Sequence, residues 1–130
     1  MNNPPMEESL KAVAKALDAI ETAEHDLKGN FTLAAINRIY YACYYCMTAL
    51  LLSQNVFAKT HQGTRAKFSE LFIKTGLFSD VMAAHIKNAF DLRQEADYDL
   101  DAEISNEIAA LMIFKSKELH KLSIAYLQTL

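Results

Sequence analysis

The stretch LAAINRIYYACYYCMTALLL, Leu33 to Leu52, decides the fold. It carries one charge, Arg38, and its uncharged part from Ile39 to Leu52 is fourteen residues, short of the roughly twenty that a helix needs to cross a bilayer. Read at 3.6 residues per turn, it is apolar on nearly every side. Such a segment is a helix enclosed by other helices, and the remaining chain must supply its cover.

Composition agrees. Of 130 residues, 52% are hydrophobic and 22% charged, with three glycines and two prolines. This excludes collagen-like and disordered chains, and there are too few turn residues for a sandwich or barrel. Thirteen Lys and Arg against sixteen Asp and Glu give a net charge of −3, without the basic excess of a non-specific nucleic-acid binder. The N-terminus, MNNPPMEE, shows no basic stretch followed by an apolar one, and Cys43 and Cys46 lie within the apolar run. Both features give the expectation of a cytoplasmic protein without disulfides.

Working outward, residues 1–6 read as a tail and 7–130 as one helical domain. A first helix spans about Glu7 to Leu27, with Leu10, Val13, Leu17, Ile20 and Leu27 on one stripe; Thr32 caps the second, which runs to about Ser53. Thr60 caps a shorter third helix carrying Phe68, Leu71 and Phe72, and Gly76 stops it. A fourth helix starts at Ser79 or Asp80. Val81, His85, Asn88 and Leu92 share one of its faces, and Ile86, Phe90, Arg93 and Asp97 another. DYDLDAE, Asp97 to Glu103, reads as a loop. The last helix starts near Ser105 and presents Ile108, Leu111, Met112, Leu119, Leu122 and Tyr126 on one side. The expected fold class is all-α, an antiparallel up-and-down four-helix bundle with an extra short helix.

Several motifs fail on inspection. Cys43 and Cys46 have CxxC spacing, but no preceding strand and no second ligand pair accompany them, so they read as core cysteines. Asp97, Asp99 and Asp101 imitate a calcium loop whose glycine and closing acid are replaced by Ala102 and Ile108. None of His25, His61, His85 and His120 has a Glu three positions earlier, as a di-iron bundle requires. No metal or cofactor is expected.

The arginines say more. Arg38 in an apolar helix needs a partner, either an acid such as Glu24 or a ligand, and it shares a face with Tyr41 and Tyr45. Arg93 lies one turn before Asp97, a spacing for an intrahelical ion pair. Tyr98 joins Arg93 only if the helix ends near Ala96 and the chain turns.

NRIYYACYYCMTALLL, KTHQGTRAKFSELFIKTG and LRQEADYD, in that order and spacing, resemble the small stand-alone prokaryotic branch of the HEPN domain family. The resemblance covers about Glu8 to Tyr126. It implies a helical bundle, commonly a homodimer, often paired with a minimal nucleotidyltransferase in toxin-antitoxin or defence systems. Active members are metal-independent endoribonucleases with an arginine, four to six residues, and a histidine. The arginine would stabilise the scissile phosphate and the histidine would handle the proton of the attacking 2′-hydroxyl.

On this chain the arginine falls on Arg93, and Tyr98 stands where the histidine belongs. Tyrosine, with a reference pKa near 10, is a poor base at neutral pH. A cleft at Arg93, Asp97 and Tyr98 is implied, with His61 the remaining histidine to substitute. Lys59, His61, Arg65 and Lys67 form the most basic stretch and offer a phosphate contact at a helix N-terminus. The leading expectation is a toxin-like HEPN subunit that binds RNA or nucleotide. The alternative is a non-catalytic helical interaction module, and Tyr98 is also a candidate acceptor of a nucleotide from the partner.

Overall fold

The computed structural model describes residues 4–130. Five helices follow one another: α1 (Pro4–Lys28), α2 (Thr32–Ser53), α3 (His61–Phe68) running into a π-helical turn (Ser69–Ile73), α4 (Asp80–Tyr98) and α5 (Asn106–Gln128). The described residues contain no strand, and no helix among them is long and apolar enough to cross a membrane. α1 begins at Pro4, inside the stretch read as a tail, and residues 1–3 of that stretch lie outside the described residues. Prolines are accommodated there because a first turn has no intrahelical partner for their missing N–H.

The enclosed helix is α2. It packs against α1, α3, α4 and α5, and Ile36, Ile39, Tyr40, Cys43, Met47 and Leu50 are all within 1% of full burial. A connection of three residues, Gly29 to Phe31, makes α1 and α2 an antiparallel hairpin. The face that α1 gives to the core is set by small residues. Ser9, Ala12, Ala16, Ala19 and Ala23 are buried together with Val13 and Ile20, whereas Leu10 and Leu17 from the expected leucine stripe are exposed. Alanines bring the two backbones close, and Ser9 Oγ uses that proximity to donate to the Ala49 carbonyl at 2.7 Å. Replacing Ala16 with leucine is expected to cost about 1–3 kcal/mol by overpacking this seam. Urea unfolding checks it, with Leu17→Ala, on the outward side, as the mild control.

α5 is rotated likewise. Ala109, Met112, Ile113, Ser116, Leu119, Ser123 and Leu127 face inward, while Ile108, Leu111 and Leu122 point out. Ser116 fits that inward face by meeting His85 of α4, while Ser123 Oγ is satisfied within α5 by donating to the Leu119 carbonyl at 2.8 Å. On α4 both expected faces are mixed. Met82, His85, Ile86 and Ala89 are buried and Val81 is exposed, so Ile86 belongs to this chain's own core rather than to a surface free for a second subunit.

The caps follow the sequence with one exception. Thr60, Ser79 and Ser105 each accept a backbone N–H from the following turn, at Gly63, Met82 and Ile108. Thr32 is already helical, and its hydroxyl bonds Asn106 Oδ1 at the start of α5 instead. After α3 the chain gains one residue in its turn, Lys74 N reaching Ser69 O, and this turn stacks Phe68 on Phe72 with Phe78 and Tyr126 against them. Gly76, at φ 79°, then lets the chain reverse where a side chain would be strained.

Candidate functional site

The best-defined polar constellation lies where α2, α3 and α4 meet. Tyr40, Tyr41 and Tyr44 stand at i, i+1 and i+4 on α2, so their rings lean over the first residue of α3, His61. His61 stacks on Tyr44 at 4.1 Å between centroids and 12° between planes, and meets the edge of Tyr41 at 5.7 Å. Its Nδ1 is 2.8 Å from the hydroxyl of Tyr40. The imidazole is therefore fixed in direction by one hydrogen bond and by rings on two sides.

Arginines from three helices lie over these tyrosines and the neighbouring Phe90. The Arg93 guanidinium, from α4, lies 5.0 Å from the Tyr40 ring centroid and 5.6 Å from that of Tyr41. Arg65, one turn beyond His61 on α3, covers Phe90 of α4 at 3.6 Å, and Arg38 covers Tyr41 at 4.8 Å. Arg93 Nε comes within 3.4 Å of Asp97 Oδ2 without the alignment of a hydrogen bond. Asp97 in turn accepts from Asn37 Nδ2 at 3.3 Å, and Asn37 Oδ1 accepts from Arg38 Nε and Nη2. Arg65 Nε is likewise shielded and unbonded.

The electrostatics follow from this crowding. Burial first, then the Arg93 and Arg65 charges, lower the pKa of His61, so the ring is neutral at physiological pH. Burial raises the pKa of Tyr40, against the opposing pull of Arg65 and Arg93, and its phenol keeps its proton. A neutral imidazole thus sits among guanidiniums that outnumber the carboxylates beside them. Such an arrangement can hold an anion and accept a proton next to it.

Of the residues expected from sequence, Arg38, Tyr41, His61, Arg65, Arg93 and Asp97 come together here. Tyr45 turns toward α1, with Lys15 Nζ 5.4 Å from its ring centroid. Lys59 is exposed on the connection leading to α3. Tyr98 is 71% exposed at the end of α4. The helix continues through Tyr98 rather than ending near Ala96, and Asp99 closes it by donating its N–H to the Glu95 carbonyl at 3.0 Å. The turn that would carry Tyr98 back to Arg93 is absent. Arg38 does not pair with Glu24, whose carboxylate is 2.8 Å from Lys117.

Sequence reading does not select Tyr40, Tyr44 or Phe90 as site residues. The i, i+1, i+4 tyrosines were a signal, but their target becomes visible only once α3 is laid across them. Elsewhere Cys43 and Cys46 are buried free thiols, with burial pushing Cys46 up to about 12 and Cys43 higher still, which keeps both protonated. Among the described residues no group of three or more His, Cys, Asp or Glu side chains is placed to hold a metal.

A family profile described as the HEPN domain matches residues 9–125. A protein of Methanocaldococcus jannaschii named as a candidate toxin is similar, 36% identical over 81% of this chain and 71% of its own length. UPF0332 proteins of Archaeoglobus fulgidus and Thermotoga maritima are 31% and 32% identical, over 88% and 72% of this chain and 90% and 70% of their own.

Proposed function

The chain belongs to the HEPN domain family, and from that premise we propose that it is a toxin-like subunit that binds RNA at the α2–α3–α4 cleft and cleaves it without metal. The observation that carries this reading is the neutral His61, held by Tyr40 and stacked on Tyr44 beside Arg65 and Arg93. Arg93 is the motif arginine; His61, reached through the fold rather than along α4, takes the histidine's part.

In this reading the scissile phosphate lies between Arg65 and Arg93. His61 carries its hydrogen on Nδ1, donated to Tyr40 Oη, which leaves Nε2 free to accept the 2′-hydroxyl proton. O2′ bonds to phosphorus, the P–O5′ bond breaks, and O5′ leaves as a hydroxyl by taking a proton from water. His61 returns its proton to solvent. The arginines offset the charge that builds on the phosphoryl oxygens. A second copy of the chain and a minimal nucleotidyltransferase complete the reading as partners. The apolar side chains left exposed on α1 and α5, among them Leu17, Leu111 and Phe114, offer surface for such contacts.

That same surface favours a second reading, a protein-docking module without catalysis. One experiment separates the two. Single-stranded RNA is incubated with the protein in EDTA and the ends of the products are analysed. Fragments ending in 2′,3′-cyclic phosphate and 5′-hydroxyl are the expected result. Binding without cleavage confines the site to RNA recognition, and neither binding nor cleavage leaves the docking module.

A further inference from the structure

Beside His61 is a slot that the reading above does not use. After α2 the chain folds back on itself: Asn55 N donates to Leu52 O and Val56 N to Leu51 O, both at 2.9 Å, with Asn55 at φ 60°. Between this turned segment and α2 is a cavity of about 140 Å³, walled by Tyr44, Thr48, Leu52, Val56, Phe57 and Lys59. Tyr44 is the shared wall, since His61 stacks on its ring.

Three features of the slot are unexplained by folding alone. Phe57 stands 76% exposed at the rim, a large ring held where water reaches it. Thr48 Oγ1 is shielded from solvent and hydrogen-bonds nothing among the described residues, although a threonine within a helix ordinarily turns its hydroxyl to the carbonyl four residues back. Lys59 lines the slot as well, the one charged residue in a wall otherwise made mainly of apolar side chains.

We propose that this slot seats one pyrimidine base of the RNA, the base of the nucleotide whose phosphate lies on the other side of Tyr44. The proposal rests on the phosphate reading of the cleft and adds what the RNA presents beside it. Size suits a single ring, because a cavity of about 150 Å³ takes up benzene and the slot is of that order. The walls select an aromatic ring, with Tyr44 and Phe57 available for stacking. The polar groups select carbonyl oxygens: the Lys59 ammonium donates, and the Thr48 hydroxyl donates after a rotation of its side chain. Uracil and cytosine both carry O2 in the ring plane, and uracil adds O4.

The test is a titration of the full chain, followed by amide chemical shifts, with uridine 3′-monophosphate, adenosine 3′-monophosphate and ribose 5-phosphate. The uridine nucleotide is expected to bind about tenfold more tightly than the other two, in the range of one stacked base. Phe57→Ala, on an exposed side chain, and Thr48→Val, which preserves shape, are each expected to reduce uridine 3′-monophosphate to the affinity of ribose 5-phosphate, whose own binding stays unchanged. Equal affinities for all three ligands, or a uridine preference that survives both substitutions, overturns the slot and leaves the phosphate reading standing. Failure of ribose 5-phosphate to bind, with the uridine preference intact, removes the phosphate reading instead, and binding by none of the three removes both.

Discussion

Replacing His61 with alanine is expected to slow RNA cleavage by about 10²–10⁴-fold, the loss usual for a positioned general base, while RNA binding changes little. The asymmetry follows from charge. His61 is neutral in the cleft, so in the proposed reading it would contribute little to holding phosphate, and Arg93 and Arg65 would contribute most of that. Arg93→Ala is therefore expected to reduce both binding and cleavage, and Tyr98→Phe neither, because Tyr98 is far out on the surface. The pH profile provides a separate check. A lowered pKa for His61 means that the rate rises with pH through a value below 6.5 and reaches its plateau at lower pH than an unperturbed histidine would set. An alanine variant at His61 that cleaves as fast as the parent removes His61 from the chemistry, whatever Arg93 does.

Acid is expected to destabilise the chain by about 3 kcal/mol through one other histidine. His85 is buried in the core, its Nε2 3.0 Å from Ser116 Oγ and 3.6 Å from Cys43 Sγ, and its Nδ1 has no partner. Burial, reinforced by the Lys115 charge, lowers its pKa from 6.5 to about 4. The folded state thus holds the ring neutral while the unfolded chain takes up a proton below pH 6.5. The unfolded state binds more protons, so stability falls as pH drops from 6.5 toward 4, by the free energy of about two and a half pK units. Urea midpoints at pH 7 and pH 4 measure this directly. His85→Gln, which has no group titrating in that interval, should flatten the dependence that remains after the carboxylates are accounted for.

The architecture was legible because it depends on few decisions. The uncharged run in α2 required an enclosed helix, and Thr60, Ser79, Gly76 and Ser105 marked where its neighbours begin and stop. The rotation of α1 and α5 was not legible. Periodicity counts leucines, but in α1 the buried seam is made by alanines, whose small size matters only when a second backbone is pressed against them. In α5 the inward face includes Ser116, which meets His85 of α4, and Ser123, whose hydroxyl is satisfied by the Leu119 carbonyl of its own helix. The site shows a similar split. Arg93 and His61 were readable as chemistry-bearing residues, but they are thirty-two positions apart, and only the crossing of α3 over the tyrosines makes them neighbours. Tyr98, adjacent in sequence, is carried away from Arg93 by a helix that runs on past Ala96.

Four of the lysines and the three arginines of this chain are kept in different company. Lys11, Lys67, Lys87 and Lys117 each stand within 3.4 Å of a carboxylate, on the surface. Arg38, Arg65 and Arg93 rest on aromatic faces, and among the described residues the ion pair these arginines make is that of Arg93 with Asp97. A ring steadies a guanidinium without neutralising it, so a phosphate bound as proposed would have few ion pairs to break and few side chains to freeze. The cleft is in effect charged in advance, as a spring is wound before it is released, within a molecule whose overall charge is negative.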